Sequence, residues 1–527
     1  MIKAHTYKLF LFFFPFALYS CKDQPPPAPP APTEPAEKIE LKKKEITYFS
    51  DSIDSAFFLE SLDSSVAVID KLYFERDEEN PQGIFTFRGG NQRNSPIRGV
   101  LNSRPKTIRK DWEFKTAIDS MNGNFGYWGG GAGWTGQPLV VNWNKNELAQ
   151  LSGLKETFLN RNELKEIIQI SLSGNIYFLD FETGIETRPH LSIRNPIKGT
   201  PSIDPKNKDL LYVGHGIPHR GEMAWRVFHL KKQTLLHEEF LPSSFAYRKW
   251  GACDASPLID TTSSTMIWPT ESGVIYRHNF SDNIFEKIEQ FRYRLSASSY
   301  QGIESSPSAY KQLGYFTDNG GNVFCADLRT MKPRWHFFNI DDSDASPVIS
   351  IENEIPFVFI GNEVDKQGAE GLGYLRKLNG LTGKEVWKFE KKCYSSTGKK
   401  VNNGGMLSTP LLGKEKAANI IYTIFSRTDS NAAGMLVAID KSTGSKLFEV
   451  PLSRYSWVSP IALYDKAGYP TLYVPTVNGC VFLIDGSTGG VIFSQDMGCI
   501  FESSPIAWNN RIIQPARGNK IFSFVVE

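Results

Sequence analysis

Four acidic residues stand three positions ahead of a proline in closely similar settings: Asp254 in CDASP, Glu304 in IESSP, Asp344 in SDASP and Glu502 in FESSP. If these settings are copies of one unit arranged about an axis, a fixed offset places the four side chains on a ring. Carboxylates gathered there attract a cation or a basic segment, and each raises the pKa of its neighbours. The competing use is local, because an acid at the start of a strand accepts hydrogen bonds from the backbone beside it. At the same offset four further units carry Thr135, Lys198, Leu407 and Trp457, so the ring is acidic on one side only.

A second candidate is NGNFGYWGGGAGWTGQP, residues 122–138, where Phe125, Tyr127, Trp128 and Trp134 stand among seven glycines. Glycines let a backbone approach a partner closely, and aromatic faces supply stacking area for a sugar, a peptide or another protein's side chains. The same loop serves equally as a plug for a channel mouth. No lysine follows the glycines, which excludes a P-loop. His215, His219 and Glu222 have a spacing that holds metal on a helix, but Gly and Pro interrupt the segment and no metal site is expected there. Hydrolase and nucleotide-binding motifs are absent. A formal charge of +2, from 59 basic and 57 acidic side chains, offers no field for nucleic acid.

The elements that position these residues follow from a repeat. A Ser-Pro or Thr-Pro start, or its near variant, recurs at Pro138, Pro201, Pro257, Pro307, Pro347, Pro410, Pro460 and Pro505, and apolar strands follow each. Third strands and their turns are most alike: GNIYFLDFETG from Gly174, GNVFCADLRT from Gly321, GMLVAIDKSTG from Gly434 and GCVFLIDGSTG from Gly479. Alternation marks a strand, the closing glycine supplies a turn's positive φ, and the spacing matches a four-stranded propeller blade. The fold class is therefore all-β: a single closed propeller of about eight blades, seven being the alternative count. Only 22 residues follow Pro505, enough for three strands, so the lone strand Thr107 to Lys115 is expected to pair with the last blade and close the ring.

Residues 1–20 read as an export signal, with Lys3 and Lys8 ahead of an apolar run, and Leu18-Tyr19-Ser20-Cys21 resembles the lipobox of bacterial lipoproteins. That resemblance implies a lipid on Cys21; the Pro-rich composition marks a tether over 21–36, the stretch 37–84 is a mixed segment with room for one or two short helices, and the repeats set the propeller at 85–527. Lys22 after the cysteine is similar to outer-membrane destinations. Of the six cysteines none is adjacent to another; Cys480 with Cys499 is the first candidate pair, against two buried free thiols.

The unit seen in GLTGKEVWKFE and LVAIDKSTGSKLFEV is similar to the repeat of pyrroloquinoline-quinone-type propellers, as is the opening FTFRGGNQRNSP. The resemblance implies that Trp112, Trp335 and Trp387 dock neighbouring blades. It embraces quinone-dependent dehydrogenases and cofactor-free lipoproteins of outer-membrane protein assembly. Quinone-binding members carry adjacent cysteines, a stacked Trp, calcium ligands and an Asp base; this chain has no adjacent cysteines. The expectation is a monomeric, non-catalytic, lipid-anchored propeller with an envelope protein or glycan partner and no cofactor. The alternatives are a dehydrogenase using pyrroloquinoline quinone and calcium, and a surface carbohydrate binder.

Overall fold

The computed structural model describes residues 57–62, 66–133, 136–281, 284–295, 302–396 and 402–527. Cys21 and Trp134 lie outside them. Eight blades of four antiparallel strands surround one axis. The inner strands begin at Leu139, Ser202, Leu258, Ser308, Val348, Leu411, Ile461 and Ile506, one residue after each of the eight prolines. We number the blades 1 to 8 in that order. Third strands such as Asn175–Asp180 and Asn322–Asp327 are buried along their whole length, sandwiched between neighbouring blades. Outer strands such as Lys332–Phe338 alternate in exposure, as a half-covered strand must. Ile108–Lys115 supplies the outer strand of blade 8 by pairing with Lys520–Val526, which closes the ring.

Adjacent blades are joined by tryptophans. The indole of Trp335 in blade 4 donates to Gly380 O in blade 5 at 2.8 Å, Trp387 in blade 5 to Lys441 O in blade 6 at 3.1 Å, and Trp112 in blade 8 to Phe181 O in blade 1 at 3.3 Å. Under each ring lies the glycine of the neighbour's turn. A Cβ on Gly383 would stand 2.7 Å from Trp335, and one on Gly184 2.5 Å from Trp112. The Thr-Gly turn thus needs glycine both for its positive φ and to seat the indole.

The residue before each proline forms a belt about the axis. The amide of Ser256 donates to Ser306 Oγ at 2.9 Å, Ser306 to Ser346 Oγ at 2.9 Å, Ser346 to Thr409 Oγ1 at 3.2 Å, Thr409 to Ser459 Oγ at 3.0 Å and Ser459 to Ser504 Oγ at 3.2 Å. Gln137 donates likewise to Thr200 Oγ1 at 2.9 Å. Six of the eight junctions between blades are thus bridged by an amide that donates to the neighbouring blade's hydroxyl.

Inside this belt runs a strap, residues 83–101, which touches all eight blades. Gly83–Ile84 pairs with the inner strand of blade 1, Ile203 N of blade 2 donates to Phe85 O at 2.7 Å, and Ala309 and Ile349 of blades 4 and 5 donate to Asn91 O and Gln92 O at 2.9 and 3.2 Å. Leu412 N of blade 6 reaches Asn94 Oδ1, Leu101 N reaches Tyr464 O in blade 7, and Ile97–Arg98 runs parallel to blade 8. Arg93 is fully buried; it donates to Pro307 O at 2.8 Å, to Ser256 O at 3.0 Å and to Pro257 O at 3.3 Å, tying blades 3 and 4 to the strap. Arg88 donates to Pro460 O in blade 7 at 2.7 Å. Burial lowers the pKa of Arg93 to about 9, which leaves it a cation at neutral pH.

Two expectations are corrected. Among the described part of 37–84, Phe57–Ser61 is a strand that pairs with blade 3 as its fifth, not a helix, because Phe57 to Ser61 find an open outer edge at Phe291 to Leu295. Cys499 is a free, half-buried thiol, so it does not pair with Cys480; Cys253, Cys325 and Cys393 are free and buried.

Replacing Arg93 with Met strands at least three buried carbonyls, and we expect a loss of about 3 kcal/mol or more in urea unfolding. A loss near that of an ordinary surface substitution would show that the strap does not bind the blades together.

Candidate functional site

In an antiparallel blade the loop entering the inner strand and the hairpin between the second and third strands lie at the same end of the axis. The acids ahead of the prolines therefore meet side chains from those hairpins, above the hydroxyl belt. Two carboxylate triads result: Asp254 with Glu271 and Glu304, and Asp342 with Asp344 and Glu363; within each, one oxygen per residue lies within 4.8 Å of the others. Asp254, Glu304 and Asp344 thus share one funnel. Glu502 stands apart across the mouth, 3.5 Å from the Arg517 guanidinium, which itself lies 5.8 Å from the Trp128 ring.

The first triad has a cation. Lys198 is ion-paired with Asp254, and its own pKa is raised because Asp254, Glu304 and Glu271 outweigh burial. Glu271 accepts from the Trp250 indole at 2.8 Å, and Asn319 Nδ2 lies 3.5 Å from Glu304. Burial, with Glu304 and Asp254 beside it, pushes Glu271 well up, while Lys198 and hydrogen bonds hold Glu304 down despite burial.

The second triad has no such partner. Burial raises Asp342, Asp344 and Glu363 well above the ordinary carboxylate range, and each is raised further by neighbouring acids. Lys366 Nζ is 3.7 Å from Asp342 Oδ2, but it also serves Asp365 at 3.7 Å and the carbonyl of Asn319.

A two-stranded hairpin, Asp119–Gly123 with Gly126–Gly129, stands on the same face. Arg220 of blade 2 clamps Asp119 and holds that carboxyl down at about 2. Phe125 packs edge-on against Trp250 at 5.2 Å. At its tip Phe125 and Tyr127 are 46% and 56% exposed, whereas Trp128 is half-buried with its indole donated to Phe125 O at 3.0 Å. His215 lies against Arg226, and burial lowers its pKa to about 3; no group of metal ligands forms around His215, His219 and Glu222 among the described residues.

Glu271, Asp342 and Glu363 were not among the acids singled out by the proline offset. For Glu271 in PTESG and Glu363 in GNEVD the signal is a second register, at the hairpin after a second strand, where Asn319 of TDNGG also stands; Asp342 stands two residues ahead of Asp344 in the same entry loop.

No family model and no curated protein matches the chain. Among solved structures it is similar to quinohemoprotein alcohol dehydrogenase ADHIIG from Pseudomonas putida HK5, at 8% identity over 88% of this chain and 83% of that one, with a TM-score of 0.55. BamB from Moraxella catarrhalis matches at 15% identity over 73% of this chain and 98% of that one, TM-score 0.47. A europium-containing methanol dehydrogenase matches at 11% identity over 85% and 99%, TM-score 0.42. At these identities the likeness is one of fold: an eight-bladed β-propeller, as the PQQ-like repeats imply.

Because the folded pKa of Glu271 lies above the unfolded value, the folded state binds the extra proton, and stability falls as pH rises from about 4 toward neutrality. Urea unfolding of wild type and Glu271→Gln between pH 5 and pH 8 is expected to show a steeper fall for wild type; parallel curves would mean that Glu271 is ionised in the folded protein.

Proposed function

We propose that this chain is a non-catalytic, lipid-anchored propeller of the bacterial cell envelope that binds or scaffolds a protein partner at its funnel face. The observation that carries this reading is the pairing of a carboxylate-lined funnel with a clamped hairpin whose Phe125 and Tyr127 stay exposed. A rigid aromatic tip beside an acidic recess suits a segment that combines apolar and basic side chains, since charge steers the encounter and buried aromatics supply most of the affinity. The lipid on Cys21 and the Pro-rich tether after it hold this face within reach of membrane-bound partners.

Pyrroloquinoline quinone fits the funnel poorly. It is a tricarboxylate, and the groups it would meet are Asp254, Glu271, Glu304, Asp342, Asp344 and Glu363, with Lys198 already engaged by Asp254. Setting further anions against buried carboxylates whose pKa values are already raised is unfavourable. No catalytic step is derived through the quinone.

A photo-crosslinking residue at Tyr127 of the full-length chain is expected to capture an envelope protein in intact cells, whereas one at the exposed blade-edge residue Leu381 is not, and Cys21→Ala is expected to release the chain from membranes. Equal capture at both positions would place the contact elsewhere, and captured glycan would favour the carbohydrate reading. Stoichiometric quinone binding with dye-linked alcohol oxidation would overturn the proposal.

A further inference from the structure

We propose that Asp342, Asp344, Glu363 and Asn403 supply the protein oxygens of a calcium site. Four of their oxygens are buried without a hydrogen-bond partner: Asp342 Oδ1, Asp344 Oδ1, Glu363 Oε1 and Asn403 Oδ1. Glu363 is only 2% exposed, so bulk solvent does not reach its free oxygen. Three carboxylates confined in this way need either protons or a cation, and Lys366 is shared among three acids and a carbonyl. The spacing fits a metal. Calcium holds oxygens at about 2.3–2.6 Å, so ligands on opposite sides of it stand about 5 Å apart or closer. The three carboxylate oxygens meet that limit, lying within 4.8 Å of one another.

The surroundings hold the ligands in place. The Asp341 carboxylate accepts the amides of Asp342 at 2.8 Å, Asp365 at 3.0 Å, Lys366 at 3.0 Å and Gln367 at 3.2 Å, locking the entry loop of blade 5 to its hairpin. Glu363 N donates to Asp342 O at 2.8 Å. A short ribbon, Glu363–Val364 with Gly404–Gly405, brings Asn403 alongside, and its amide donates to Glu363 Oε2 at 2.9 Å, which leaves Oδ1 as an acceptor. Gly405 is required there, since a Cβ would lie 2.8 Å from the Glu363 backbone. Hard, all-oxygen ligands of mixed charge on loop backbone favour calcium over zinc, which seeks nitrogen and sulfur, and over magnesium, which demands a stricter octahedron. The first triad also has buried oxygens without a hydrogen bond, on Asp254 and Glu271, but Lys198 already supplies its positive charge.

This inference stands independently of the partner reading. Its test is calorimetric titration of calcium chloride into the full-length chain, purified in detergent and stripped with a chelator. We expect one equivalent bound and a raised thermal midpoint. Glu363→Gln and, separately, the isosteric Asp344→Asn should weaken binding by at least about 10-fold, while Glu271→Gln should leave it unchanged. Far-ultraviolet circular dichroism of each variant identifies any that fails to fold, and the remaining one decides. Absence of calcium binding by wild type, binding indifferent to both blade 5 substitutions, or binding lost in Glu271→Gln would each overturn the site.

Discussion

A buried guanidinium must find carbonyls for its donors, and Arg93 finds them on blades that are 163 to 214 residues away in sequence. Eight radial sheets have little intrinsic reason to keep one common centre, since each packs only on its two neighbours. The strap supplies the centre: with Arg93, Arg88 and its backbone groups it bonds to every blade, and so fixes where each inner strand starts. All else at the funnel follows, because the side chains three residues ahead of those starts are placed by them. The strap bonds to the inner strands just beyond the prolines, while the acids stand just ahead of them.

Confinement gives these acids their character. The hydroxyl belt repeats Ser or Thr before proline because each blade's amide needs its neighbour's oxygen, and it holds the entry loops at one level around the axis. Carboxylates fixed at that level cannot separate to relieve their repulsion. The two triads differ in their positive charge: Lys198 lies within the first, while Lys366 beside the second is shared with Asp341, Asp365 and a carbonyl. Gathered carboxylates of this kind favour positive charge over further negative charge.

Much of the fold was legible in the sequence because a propeller writes its period into it. The eight prolines each precede an inner strand by one residue, and the strand expected to close the ring, Thr107 to Lys115, is present as Ile108–Lys115. Asp254, Glu304 and Asp344 converge as their common offset requires, while Glu502 is held aside by Arg517. The strap was not legible as a hub. Residues 85–96 have neither strand nor helix period, and their partners, from Ser202 of blade 2 to Pro460 of blade 7, are remote in sequence. Phe57–Ser61 was missed for a similar reason, since the strand it pairs with is the outer edge of blade 3, remote in sequence. Glu271 and Glu363 belong to a second repeat register, where Asn319 and Val477 stand in other blades and no fixed residue advertises the position.

The central claim, that the strap joins the eight blades at their common axis, is tested most directly by native-state hydrogen exchange. Ile203, Ala309 and Ile349 donate their amides to strap carbonyls. The account predicts that these amides exchange only through global unfolding, as slowly as those of the buried strand Asn322–Asp327. Exchange of these amides by local opening, orders of magnitude faster than that strand, would contradict it.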